Sequence, residues 1–464
     1  MRTRRSGILL HLSSVPGPHG IGDLGSGAER VLDWLVKSGQ RAWQMLPVNP
    51  IGPGNSPYSS LSAFAGEPLF VSLEGLVRDG WLPRAALRAP TRLGRGSTDY
   101  EAARAFKWPR FLAAYIGFAE DRGDRTAEYR AFVRRNAAWL DDWCAFAAER
   151  DGGLRGFHAF LQFAFDRQWR AFRARALDQD VRLIGDVPIF VGLDSADVRM
   201  HPELFRLRKN GSPEVVTGVP PDDFSKTGQR WGQPHYRWSE HERTKFAWWV
   251  ARFRRAIDLF DLVRIDHFIG FHNAYEVRSG ARDARHGVWR PTPGTSLLTA
   301  IEQALGDLPL IAEDLGQVTS EVHALRDRFR LPGMRILQYA FYRESSRDLP
   351  CLHPRHSVTY PGTHDNDVST GWWKLLPADA KSRFRRTVGS SRDPVWLSML
   401  RLAQQSPAML VFAQLQDALG LPPSTRMNRP GTSSGNWTWR AEAAMLTNSA
   451  ARRLRELSVA AARV

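Results

Sequence analysis

Leu262-Val263-Arg264-Ile265-Asp266-His267-Phe268 reads as a short buried strand with polar groups gathered at its C-terminal end. Side chains two apart on a strand share a face, so Arg264 and Asp266 point the same way. A carboxylate beside a permanent cation is held ionised, because the opposite charge lowers its pKa. An ionised, positioned carboxylate is what a nucleophile at a sugar's anomeric carbon requires. An Asp at a strand end is commonly only a turn or cap residue, so the stretch takes its meaning from the rest of the chain.

Seven further stretches read as strands: 7–12, 42–48, 182–190, 308–314, 333–339, 357–363 and 408–413. Helical spacing of apolar residues marks 28–37, 157–177 and 240–257 between them. Eight strands alternating with helices is the cadence of a (β/α)8 barrel. A doubly wound sheet also alternates, but no Gly-x-Gly-x-x-Gly turn opens any unit here. The fold class expected is therefore α/β, a TIM barrel with helical and irregular insertions. One catalytic domain spans 1–464, with a helical insertion subdomain at 75–155 and a loop-rich one, full of Pro, Gly and aromatics, at 191–239.

The formal charge of +16 invites a nucleic-acid partner. Lysines are scarce, however, and the arginines are scattered among acidic residues with no dense basic arm, so none is expected. Cys144 and Cys351 are isolated, which argues against a disulfide framework and for a reducing, cytoplasmic setting. Arg4-Arg5 precedes a brief apolar run that His11, Ser13 and Pro16 interrupt, unlike an export signal. No apolar stretch is long enough to cross a bilayer, and no membrane partner is expected.

In such barrels chemistry sits at the C-terminal ends of the strands. Those ends carry Asp186, Asp266 with His267, Glu313 with Asp314, and His364-Asp365-Asn366-Asp367. Charged groups converging on one rim must be hydrogen-bonded, paired or functional. The His and acidic residues lie on separate strands with no His-x-His or Glu-x-x-His pair, so neither metal nor cofactor is expected.

With these motifs in order, the chain resembles the 4-α-glucanotransferases of the amylomaltase (disproportionating enzyme) family almost end to end. The likeness begins at Arg5-Ser-Gly-Ile-Leu-Leu-His-Leu-Ser-Ser14 and Gly20-Ile-Gly-Asp-Leu-Gly25. It runs through Trp43-Gln-Met-Leu-Pro47, Asn55-Ser-Pro-Tyr-Ser-Ser60, Gly185-Asp-Val-Pro-Ile-Phe190, Gly218-Val-Pro-Pro-Asp222 and Thr227-Gly-Gln-Arg-Trp-Gly232. Arg264-Ile-Asp-His-Phe268, Ala312-Glu-Asp-Leu-Gly316 and Gly362-Thr-His-Asp-Asn366 carry the chemistry; Arg426-Met-Asn428, Pro430-Gly431 and Asn436-Trp437 close the site.

The resemblance implies a retaining mechanism. Asp266 would be the nucleophile and Glu313 the acid/base, kept protonated by neighbouring carboxylates. Asp365 would hold the 2- and 3-hydroxyls of a distorted ring. Arg264 would keep Asp266 ionised, His364 would bond the same sugar, and Asp186 would support the geometry. His267, Tyr58 and Trp231 are expected at the substrate, the last two as stacking platforms, with Asn428, Pro430 and Gly431 at a subsite. The substrates implied are α-1,4-glucans: maltooligosaccharide and maltodextrin donors, with glucose among the acceptors. An amylase-type α-glucan hydrolase and a non-catalytic glucan-binding protein are the alternatives. Transfer requires an acceptor where water would otherwise react, and 191–239 and 430–440 are the segments suited to excluding it. Three positions depart from the family's usual pattern: Ile269 where an Arg is common, the 273–277 stretch without a Tyr-Trp pair, and Val368 in place of Thr. Altered acceptor binding follows from the first.

Overall fold

A computed structural model describes residues 4–221, 225–344, 346–432 and 434–464. Its strands, in chain order, are β1 (Arg5–Leu9), β2 (Ala42–Gln44), β3 (Arg182–Val187), β4 (Val215–Val219), β5 (Gln229–Pro234) and β6 (Leu262–Ile265). They continue as β7 (Asn273–Arg278), β8 (Val288–Pro291), β9 (Leu310–Ala312), β10 (Gly333–Ile336), β11 (Ser357–Tyr360) and β12 (Leu410–Gln414). Every stretch expected to be a barrel strand is one: β1, β2, β3, β6, β9, β10, β11 and β12 pair in parallel and close on themselves.

Because side chains alternate across a strand, a barrel strand covered by helices must be apolar on both faces. Ala42, Ile184, Ile311, Met334, Ile336, Val358, Tyr360, Leu410 and Phe412 fill the interior as one cluster. Their neighbours Leu183, Val263, Ile265, Leu310 and Ala312 join the larger core outside the barrel. Gly7 is required where β1 crosses this interior. A Cβ there would lie 2.3 Å from the Ala42 carbonyl oxygen and 2.7 Å from the Phe412 ring.

The same ladder sets the polar ends. Asp186 pairs in register with Arg264, and Ile265 with Ala312. Beyond the strands proper, Asp266 N–H donates to the Val187 carbonyl at 3.0 Å, and Glu313 N–H to that of Ile265 at 3.1 Å. The backbones of both residues are thus fixed by the sheet, not by a free loop.

Two stretches differ from their sequence reading. Residues 240–257 form two helices, Trp238–Arg243 and Ala247–Leu259, broken where Lys245 and Phe246 adopt φ of 51° and 57°. The stretch 191–239, read as irregular, contains β4 and β5, which join β7 and β8 in an antiparallel sheet of order β5-β4-β7-β8. Its strands carry Gly and Pro and a register shift between Val216 and Gly218, so no period-two pattern shows. Their partners lie across β6 in sequence, and only folding brings them together. Asp222 of the quoted Gly218–Asp222 motif lies outside the described residues.

Between β2 and β3 run the helices Tyr100–Glu120, Ala127–Arg135 and Leu140–Asp151, the first two packed on Arg155–Asp178 through Phe118, Phe132, Phe160 and Phe163. Among the described residues no helix is long and apolar enough to cross a membrane.

Candidate active site

Arg264 organises the mouth of the barrel. Its guanidinium is buried between three strand ends: Nη1 donates to Asp186 Oδ2 at 2.6 Å, while Nη2 lies 2.9 Å from Asp266 Oδ1 and 3.8 Å from Glu313 Oε2. Strand register explains the first contact, since Asp186 and Arg264 face each other across β3 and β6. The two-residue period along β6 explains the second. After Asp266 the chain turns sharply, with His267 at φ 51°, a left-handed conformation uncommon outside glycine. That turn aims the His267 N–H at Glu313 Oε2, which accepts its hydrogen bond.

Three carboxyls around one cation cannot all ionise freely. Burial pushes Glu313 well above the usual carboxylate range, and the Asp266 and Asp365 charges add to this against Arg264 and the His267 N–H. Burial also raises Asp266, with Asp365 adding and Arg264 opposing. This corrects the sequence expectation, which counted the pull of Arg264 but not desolvation of the cleft. Asp186, with 0% of its side chain exposed, is pushed up to about 7 by burial against Arg264. Burial thus raises both carboxyls, so the cleft favours a retained proton over two full negative charges.

A second wall is built from β11 and the C-terminal segment. Tyr58 OH donates to Asp186 Oδ2 at 2.8 Å and lies 2.9 Å from His364 Nε2, and its ring stacks on the His364 ring at 5.3 Å. Trp437 packs beside both rings at 5.8 and 6.0 Å. Burial lowers His364 to about 4, leaving the imidazole neutral. Asp365, next in the chain, is gripped twice: Asn428 Nδ2 donates to Oδ1 at 2.6 Å, and Arg426 Nη2 to the backbone carbonyl at 2.6 Å. Pro430, half-buried, and Gly431, exposed, follow in a turn, Gly431 at φ 81°.

The small sheet supplies a third wall. Trp231 on β5 meets the His267 ring edge-on at 4.9 Å and is 36% exposed. His267 is lowered to about 4 by burial. Gln233, also on β5, donates to the Tyr58 carbonyl at 3.2 Å and ties this sheet to the Tyr58 loop. Sequence reading did not single out Gln233, and nothing in its local pattern marks it. Ile269, the departure from the family pattern, is buried in the main core.

The structure therefore brings Asp186, Arg264, Asp266, His267 and Glu313 together, joins Tyr58, His364, Asp365 and Asn428 to them, and sets Trp231 at the rim. Tyr58 differs from a simple stacking platform: its hydroxyl is bound inward and one ring face is covered by His364. Elsewhere, His19, Asp23 and Glu74 have the spacing of a metal site. The buried Lys107 ammonium already bonds Asp23 at 2.7 Å and the Leu69 carbonyl at 2.6 Å, so a cation is in place there.

Comparison with known proteins bears on this arrangement. The family model described as 4-alpha-glucanotransferase, glycoside hydrolase family 77, matches residues 10–155 and 149–447. The 4-alpha-glucanotransferase of Thermus thermophilus is 41% identical, covering 99% of each chain. That of Synechocystis is 40% identical, covering 94% of each. Among solved structures, the amylomaltase of Streptococcus agalactiae in complex with acarbose superposes with a TM-score of 0.95 at 32% identity, covering 99% of this chain and 100% of the other. Sequence match along the whole length, and a fold shared to that degree, place this chain in the 4-alpha-glucanotransferase family, glycoside hydrolase family 77.

Proposed function

We propose that the protein moves α-1,4-glucan segments between maltooligosaccharides by double displacement, with Asp266 as nucleophile and Glu313 as acid/base. The observation that carries this reading is Arg264, which from within the barrel lies 2.9 Å from Asp266 Oδ1 and 3.8 Å from Glu313 Oε2, where burial raises both carboxyls. Asp266 attacks the anomeric carbon as Glu313 gives its proton to the leaving 4-oxygen, forming a β-glycosyl-enzyme. Glu313 then takes the proton of an incoming 4-hydroxyl, which displaces Asp266 and restores the α-linkage. Asp365, oriented by Asn428 and Arg426, receives the 2- and 3-hydroxyls as the ring distorts. His364 donates to or accepts from the same sugar, and Asp186 with Tyr58 fixes Arg264. Trp231 and His267 line the rim beside the acceptor path, and Pro430 and Gly431 shape the opposite side.

Donors are maltodextrins and maltooligosaccharides, and glucose serves as an acceptor. The chain acts as one catalytic barrel, with 75–155 and 191–239 as insertion subdomains; residues 222–224 and 433 of the loops suited to excluding water lie outside the described set. The free cysteines Cys144 and Cys351 support a cytoplasmic setting. No metal, nucleic acid or membrane enters this reading.

The test is to incubate the protein with maltotriose and EDTA and separate the products. Glucose together with oligosaccharides longer than maltotriose is the expected result. Glucose and maltose alone would mean that water takes the intermediate, and hydrolysis would replace transfer.

A further inference from the structure

Two buried polar residues behind the barrel mouth have no part in the steps above. Gln416 and Asp417 lie in the single helical turn Leu415–Ala418 after β12 and are 3% and 1% exposed. Each reaches one of the two segments that hold Asp365. Asp417 Oδ1 accepts the Ser369 N–H at 2.6 Å, and Ser369 opens the helix Ser369–Leu375 directly behind the loop that carries Asp365. Gln416 Nε2 donates to the Thr425 carbonyl at 3.1 Å. The residues that follow Thr425 include Arg426 and Asn428, the two donors to Asp365. A third tie, Thr370 Oγ1 to the Leu421 carbonyl at 2.7 Å, joins the same two segments. At the far end Asn428 N–H donates to the His364 carbonyl at 3.2 Å.

Asp417 is a costly way to fill this space. Burial pushes its carboxyl up to about 7 and the Asp367 charge adds to this; Arg426, 4.0 Å from Asp367, is the cation facing that side. A leucine would avoid the desolvation. What the carboxyl supplies instead is an acceptor for a helix-terminal N–H, at a point that sets where the Asp365 loop ends.

We propose that Gln416 and Asp417 are positioning residues for glucan transfer: from one turn they fix the spacing of the 363–368 loop against the 425–428 segment, and so hold Asp365 on the sugar. This rests on the role given to Asp365 above.

The experiment compares Asp417→Ala, Asp417→Asn, Gln416→Glu, Asp365→Asn and the double variant Asp417→Ala/Asp365→Asn. Each is assayed for kcat and KM on maltotriose, with thermal melts on the same samples. Asp417→Ala lowers kcat about 10- to 100-fold with little change in KM, the size of effect that a small misplacement of a substrate-holding group produces. Asp417→Asn keeps an acceptor oxygen and recovers activity to within about 3-fold of wild type, since the bond it restores is neutral and weaker. Gln416→Glu keeps the size but cannot donate to Thr425 when ionised, and falls about 10-fold or more. In the Asp365→Asn background, Asp417→Ala adds little further loss, because the group it positions is already disabled. Losses that multiply in the double variant would overturn the proposal, as would an Asp417→Asn variant as poor as Asp417→Ala, or losses confined to variants that melt near the assay temperature. Full activity in Asp365→Asn would instead overturn the role of Asp365 on which the proposal rests. Should Asp417→Ala fail to fold, the near-isosteric Asp417→Asn and Gln416→Glu variants still separate the two outcomes.

Discussion

Two of the three walls of this barrel's mouth are most unlike. On one side Asp186, Arg264, Asp266 and Glu313 stand at the ends of β3, β6 and β9, their backbones held by parallel ladder hydrogen bonds and their side chains by a shared guanidinium. On the other, Trp231 sits on the antiparallel sheet of β5, β4, β7 and β8, exposed, and tied to the mouth through Gln233 and Tyr58. The first wall is desolvated and charged, so small displacements change proton affinities. The second is aromatic and wetter, so displacement changes how much apolar surface a sugar covers. The proposed chemistry falls on the rigid wall and the proposed stacking on the other.

The largest effect should come from Asp266→Asn, which keeps shape and removes the proposed nucleophile. We expect kcat on maltotriose to fall on the order of 10⁴-fold or more, as for other covalent catalysts stripped of their nucleophile, with the melting temperature of the variant near that of wild type. Arg264→Met attacks the same wall through its cation. Removing one partner of a buried pair leaves uncompensated charge, and denaturant melts should show a loss of about 3–5 kcal/mol. Activity of the folded fraction should fall as well, since Asp266 and Glu313 lose their shared cation.

The pH profile sharpens the same contrast. The proposed first step requires Asp266 ionised and Glu313 protonated, and burial raises both above their usual values. On this basis kcat/KM rises with pH as Asp266 loses its proton and falls at higher pH as Glu313 loses its own. Glu313→Gln assayed with an α-maltosyl fluoride donor, whose leaving group needs no proton, should lose the high-pH limb for formation of the glycosyl-enzyme. A limb unchanged in that variant would show that another group controls it.

Trp231→Ala should have the smallest effect. Loss of one stacking face is worth about 0.5–1.5 kcal/mol, which predicts a KM increase of roughly 2- to 10-fold with kcat little altered. If Trp231→Ala lowered kcat as deeply as Asp266→Asn, the division between a chemical wall and a binding wall would be wrong.

Much of the rigid wall was legible before folding. Arg264 and Asp266 share a face by strand period alone, and Asp186 and Glu313, like Asp365 on the neighbouring wall, stand at the ends of stretches whose apolar runs mark them as strands. The binding wall was far less legible. β4 and β5 carry Gly and Pro in place of an alternating pattern, and their pairing partner β7 lies beyond β6. The roles of Gln233, Gln416 and Asp417 depend on contacts with segments that local pattern does not predict.

By itself the sequence determined the eight barrel strands and which carboxylates end them, because hydrophobic period and chain order are local properties that a closed parallel sheet converts directly into position. Tertiary structure decided the rest. It set the antiparallel sheet over the mouth and the break at Lys245–Phe246, and turned the Tyr58 hydroxyl inward between Asp186 and His364. It also raised Asp266 above its usual range despite an arginine 2.9 Å away. The reason is physical: proton affinity and non-local pairing depend on how much water is excluded and by which distant segments, and neither quantity exists until the chain has closed on itself.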